Sequence, residues 1–491
     1  AIGKLGDDRA IVSLMQFLPD RTLRKPVVEA LGRLGNSEIL PAIVPFIHDK
    51  KRIVRNAAVV GVSEILKRCP AEGPWEGTGT LKVFRESAGG ESVEGLIEAI
   101  QEDDPSIRTA AIRLIGLLGN PKGVHYLIDI LGDLDFHEVT IEALQNIGAP
   151  AEQELIEALD HPDELIRKGT AHVIGRIGNV KTIHKLIPLL KDKNGHVRQS
   201  AAMALGMLKD PMAVEQMIPL LNDPYPDVQK ATVLALHEIG DRSFIQRLIS
   251  LLSEQSVIYR KNAALLLGHM DAHDAVETLV FALKDEDPEV RKSAATALGQ
   301  IRGDRAQEGM IHALSDEVTD VRLSAAMALG NFQTDEAVRV LTSILQDENI
   351  WIRCAAVKGL GKIGNDKALD ALIPMLEENI PPVQISIIEV LAKKKDRRVF
   401  PVLIKKLEHT DKEIRRAAIL ALGKNGNLAA FESLIYLLDS SDWSERNATV
   451  EALGFLGDPR ALLYLKDIVK NDPAPLIRKT AEVAVQKLTR K

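Results

Sequence analysis

Residues Asp285–Leu314 read DEDPEVRKSAATALGQIRGDRAQEGMIHAL. Asp287-Pro288 makes a short turn, and proline suits the first position of the helix that follows. Val290 to Ile301 then reads as a helix rich in small alanines that let neighbouring helices approach. The preceding run, Ala275 to Asp285, is AVETLVFALKD. Its apolar residues fall at i, i+3, i+4 and i+7, the spacing of a helix with one buried face. Two helices per unit is therefore the expectation.

The unit repeats. An apolar residue followed by Arg or Gln recurs at Arg167, Arg198, Gln229, Arg260, Arg291, Arg322, Arg353, Gln384, Arg415 and Arg446, each step being 31 residues. The ladder continues to Arg478 and includes Arg24, Arg55 and Arg108 upstream, with His137 standing in for arginine in a shortened unit. That makes fifteen units. A fixed period overrides the count of three or four domains that 491 residues would otherwise suggest. Gly178, Gly240, Gly364 and Gly457 stand at or just past the ends of second helices, where a left-handed cap is expected.

Composition agrees. Apolar residues are 45% and charged residues 27%, enough to bury a core, while aromatics are only 4%, low for an enzyme or a β-sandwich. Lys plus Arg is 62 against 69 Asp plus Glu, a net charge of −7, which disfavours a protein built mainly to bind nucleic acid. No apolar run is long enough to span a membrane. Two cysteines, Cys69 and Cys354, fit a reducing compartment and a cytoplasmic setting.

The recurring pattern xVRxxAAxALGxIGD resembles HEAT repeats of the short, 31-residue bacterial type, the PBS-lyase-like HEAT repeats. The resemblance covers nearly the whole chain. It implies an all-α fold, a right-handed α-solenoid superhelix of about fifteen two-helix repeats, with the second helices lining the concave side. HEAT units carry an Asp before the second helix and an Arg within it. Asp192 and Arg198, Asp285 and Arg291, and Asp316 and Arg322 are such pairs, each six apart. These arginines are expected to bond turn carboxylates or carbonyls of their own and neighbouring units.

The expected organisation has four parts. Residues 1–8 read as the tail of a truncated repeat, so the chain is expected to start mid-repeat. Residues 9–68 hold two repeats, 69–92 form a Gly/Pro-rich insertion loop, and 93–491 form the remaining continuous solenoid. Arg55 to Arg108 is 53 residues, 22 more than one period. Trp75 and Phe84 in the insertion are apolar enough to dock a partner, the alternative being a tolerated surface excursion.

Catalytic and metal signatures are sparse, so no catalytic residue, cofactor or metal is assigned. His137-Glu138 and His237-Glu238 are the two His-Glu dyads, at unmatched places in their units, and cannot form the symmetrical di-iron site of HEAT-like hydroxylases. No zinc, phosphate-loop or nucleophile-elbow pattern occurs.

Function is therefore sought on the groove. With the ladder residue as position zero, positions five and nine share a face. Met203, Met207, Leu234 and Leu265 occupy it on three successive units, with Met327 further along. Lys358, Lys362, Lys393 and Lys424 follow as a basic stripe. An apolar patch followed by lysines suits an amphipathic helix or an extended peptide with an acidic end. Packing between helices, for the Met and Leu residues, and a solvated face, for the lysines, are the competing explanations. The leading expectation is a non-catalytic scaffold for a protein or peptide partner. The alternatives are a bilin lyase-like subunit holding a tetrapyrrole, as phycobilin lyases share this repeat type, or a nucleic-acid-binding solenoid, which the Lys358–Lys424 stretch alone supports.

Overall fold

The computed structural model describes residues 10–68, 79–378, 380–394 and 396–489. Those residues form helices, 3-10 segments and turns, with no strand among them. The chain divides into two compact units, Ala1–Phe244 and Ile245–Lys491. Each is a run of helix pairs in which second helices pack on those of adjacent repeats, as Glu164–Ile177 does on Gly195–Leu208. All fifteen ladder positions fall near the start of a helix.

Second helices begin where the turn chemistry directs. The Asp287 carboxylate accepts the Glu289 amide at 2.8 Å, and Pro288 follows as the first residue of the Pro288–Ile301 helix. Asn194 does the same for the His196 amide at 2.8 Å. They end on left-handed residues. Gly178, Gly240, Gly364 and Gly457 have φ of 82°, 69°, 62° and 77°. Their inward faces are apolar. Val197 and Leu205 are fully buried, and burial of each such side chain stabilises the stack by about 1.5–3 kcal/mol.

First helices are shorter than the periodicity predicts. The segment from Ile183 runs as an α-helix only to Leu186 and continues as a 3-10 turn, Ile187–Lys191. Val214–Met217 and Ile218–Asn222 repeat this break. Pro188 and Pro219 sit at the break in both, because proline has no amide hydrogen to continue the α ladder.

Second helices touch backbone to backbone. A Cβ added to Gly175 would lie 2.6 Å from the Ala204 Cα, and one on Gly206 would lie 2.7 Å from the Ala235 Cα. Gly268 meets Ala297 in the second unit at 2.6 Å. Glycine eight residues after the ladder position thus fits against alanine six after the next one. Any side chain there would push the repeats apart.

The insertion departs from the expectation. Residues 79–92 are not loop. Gly79–Ser87 is a helix, and Gly90–Ile100 opens the next repeat. Leu81 and Phe84 are buried, Phe84 completely, and Arg85 donates to the Leu117 carbonyl at 2.8 Å. Phe84 is therefore a core residue of the first unit and cannot present its ring to a partner. Its i, i+3 relation to Leu81 gives this helix an apolar face of its own. Trp75 and the rest of 69–78, and the residues read as a truncated repeat tail, lie outside the described residues.

Candidate binding face on the second helices

The ladder is scaffold. Arg198 donates through Nε and Nη2 to the two carboxylate oxygens of Asp223, at 2.7 and 2.9 Å, and through Nη1 to the Asp192 carbonyl at 2.7 Å. One guanidinium thus ties its own turn to the turn of the next repeat. Arg167 with Asp192, Arg260 with Asp285 and Arg291 with Asp316 repeat the fork. Each aspartate also accepts an amide two residues on, as Asp192 does from Asn194 at 2.8 Å. Burial pushes the Asp192 and Asp316 carboxyls up, but the arginine hydrogen bond and the turn amide hold both below the ordinary aspartate value.

Departures keep the same carbonyl bond. His137 Nδ1 bonds the Leu131 carbonyl at 2.8 Å, and Gln229 donates to the Asp223 carbonyl at 2.7 Å. Arg415 takes Glu445 as its carboxylate. Arg322 donates to the Asp316 and Glu317 carbonyls without a carboxylate in the next repeat among the described residues.

Positions five and nine are the free surface. In the first unit, Met203 and Met207 on Gly195–Leu208 are 38% and 40% exposed, and Leu234 on Pro226–Ile239 is 50% exposed. The three line one open depression of about 610 Å³, with Gly206, Ala231 and Ala235 also in its lining. Lys209 and Glu238 pair at 3.0 Å at its margin.

Leu265 and Met327 belong to the second unit. Leu265 is half-buried on Val257–His269. Met327, on Thr319–Leu329, is 55% exposed and lines a separate depression of about 530 Å³ with Leu323, Trp351, Cys354, Pro382 and Ile385. Met203, Met207 and Leu234 thus line one depression, and Met327, expected further along, lines another. The Trp351 pocket was missed from sequence. Its signal was present, because two residues before and one after the ladder position continue the i, i+3, i+4 face backward from position five.

Lys358 and Glu389 border that pocket and, with Lys362 and Lys393, line a neighbouring depression of about 400 Å³. Lys424 reaches the Phe455 ring, its ammonium 5.7 Å from the centroid, and the Lys487 ammonium lies 4.6 Å from it. All five lysines are exposed, and none has a carboxylate partner among the described residues. Lys394, in contrast, folds against Gly364 at the end of the Ile350–Ile363 helix, where a cation offsets the helix dipole.

Reactive chemistry is thin. No group of three His, Cys, Asp or Glu that could hold a metal ion occurs among the described residues. His137 is buried on its carbonyl bond. Cys354 is half-buried, and burial pushes its thiol up, away from the reactive thiolate. Among the described residues no helix is long and apolar enough to cross a membrane.

Comparisons with known proteins fit this architecture. The HEAT-repeat profile matches residues 136–205, 183–265, 245–321, 308–392, 376–446 and 400–486. An uncharacterized phycocyanin operon protein Z of Pseudanabaena tenuis is 29% identical over 179 residues, covering 35% of this chain and 81% of that protein. The structure of Kap121p bound to Ste12p aligns over 98% of this chain and 68% of that one, with 12% identity and a TM-score of 0.53, a likeness of fold. The complex of CpcE and CpcF of phycocyanin lyase from a Nostoc species covers 50% of this chain and 94% of that one, at 23% identity and a TM-score of 0.30. The chain belongs to the HEAT-repeat family and is an all-α solenoid.

Proposed function

We propose that the protein is a non-catalytic interaction scaffold that holds a protein or peptide partner on the exposed face of its second helices. The observation that carries this reading is a division of labour. The ladder arginines spend their donors inside the stack, whereas Met203, Met207 and Leu234 stand together, exposed, in an open depression. Lys358, Lys362, Lys393 and Lys424 add a basic row in the second unit that has no carboxylate partner among the described residues. The proposed setting is the cytoplasm. The test is capture of partners by the intact chain and by the double variant Met207→Asp, Leu234→Asp. Loss of a captured partner with helicity unchanged supports the reading; identical capture by both proteins refutes the patch as a site.

A second reading draws on the phycocyanin operon relative: a bilin lyase-like subunit that holds a tetrapyrrole in the same depressions. A new visible absorption band on mixing with bilin would support it, and none at high micromolar bilin would sink it. A nucleic-acid role rests on the lysine row alone. It is removed if neither DNA nor RNA binds at low salt, where the phosphate contribution is greatest.

A further inference from the structure

We infer that the second unit holds a bipartite site for an extended peptide with an apolar anchor followed by spaced acidic residues. This deepens the scaffold reading and rests on it. The anchor site is the depression lined by Leu323, Met327, Trp351, Cys354, Pro382 and Ile385, in which Trp351 is 72% exposed. Lys358 and Glu389 lie on its border and on that of the next depression, so the apolar and basic surfaces are continuous.

From there the cations run one to a repeat. Lys362, Lys393 and Lys424 stand at position nine of three successive second helices, Phe455 takes the fourth place and Lys487 the fifth. Packed helices lie about 8–10 Å apart. An extended chain rises about 3.3 Å per residue, so a carboxylate at about every third residue meets each ammonium in turn. The track from Trp351 to Lys487 crosses four repeat intervals and takes roughly 12 residues of peptide.

Charge complementarity names the occupant. These lysines lack carboxylate partners within the described residues. Other exposed basic residues at repeat boundaries have them, such as Lys209 with Glu238 at 3.0 Å and Arg305 with Glu277 at 3.1 Å. A nucleic acid fits less well. Its phosphates come every few ångströms, so one lysine per repeat leaves most of them unneutralised. Base stacking is also disfavoured at Phe455, whose ring already carries two ammoniums.

The test is fluorescence anisotropy of the full chain with a labelled peptide of about 16 residues, a Phe-Leu pair near one end followed by Glu at every third position. Probes of the same length with Lys in place of Glu, with the apolar pair removed, and a single-stranded oligonucleotide complete the set. The acidic peptide is expected to bind and to weaken with salt. Lys362→Glu with Lys393→Glu should weaken it about a hundredfold, and Trp351→Ala about tenfold. Lys362→Gln with Lys393→Gln reads the same loss if charge reversal disturbs the fold. Tyr436→Ser, at an exposed first-helix position of the same unit, should leave it unchanged. Binding that survives both lysine variants, or an oligonucleotide that binds more tightly than the peptide, overturns the inference. Partner capture that is lost in the Met207, Leu234 variant, with no binding of the acidic peptide by the full chain, overturns this inference while leaving the scaffold reading standing.

Discussion

The second helices of the two units carry the same ladder and different faces. In the first unit, positions five and nine supply Met203, Met207 and Leu234, and the nearby charges Lys209 and Glu238 satisfy each other. In the second, the same positions supply Lys358, Lys362, Lys393 and Lys424, without carboxylate partners among the described residues. One backbone register thus presents an apolar surface in one place and a cationic one in another. Stacking is carried by the ladder and by glycine-on-alanine contacts, which leaves these positions free to vary.

The largest effect should come from removing the ladder under one face. Arg198→Ala leaves Asp223, 6% exposed in its side chain, without its counter-charge, and should cost about 3–5 kcal/mol in urea unfolding. Arg322→Ala loses carbonyl bonds but strands no carboxylate in the next repeat, and should cost about 1–2 kcal/mol. Equal losses would contradict the role given to the inter-repeat fork. Gly206→Leu comes next, at about 1–3 kcal/mol, because a side chain there meets the Ala235 backbone. An unchanged unfolding midpoint would mean the repeats are less tightly apposed.

Face substitutions should reverse this balance. Met207→Asp with Leu234→Asp should reduce partner capture about tenfold or more while stability moves by no more than about 0.5 kcal/mol, since both side chains are exposed. Near neutral pH the smallest change is expected. Asp192 and Asp316 are held below the ordinary aspartate value, so the stability they contribute is fully present above about pH 4–5. It is lost as pH falls through their folded-state values. Thermal unfolding should be flat from about pH 5 to 8 and fall in stronger acid; a decline already at pH 6 would point to other groups.

The period made the fold legible, because each arginine, capping aspartate and terminal glycine recurs in register. The inter-repeat fork was foreseen only as turn carboxylates and carbonyls, since spacing within one unit does not show which aspartate a guanidinium reaches across the interface. The glycine that meets alanine was visible in the ALG motif, yet its purpose is a contact between repeats. Phe84 was misjudged because a Gly/Pro-rich approach hid a short amphipathic helix behind it. Trp351 was missed because only positions five and nine were followed along the ladder, although it continues the face that carries Met327 and Lys358.

Cross-linking mass spectrometry of a captured complex, using an amine-reactive reagent, tests the central claim most directly. The account predicts partner cross-links at Lys209, Lys358, Lys362 and Lys393, which stand on or beside the second-helix face. Cross-links confined to exposed lysines of the first helices, such as Lys185 and Lys405, would contradict it.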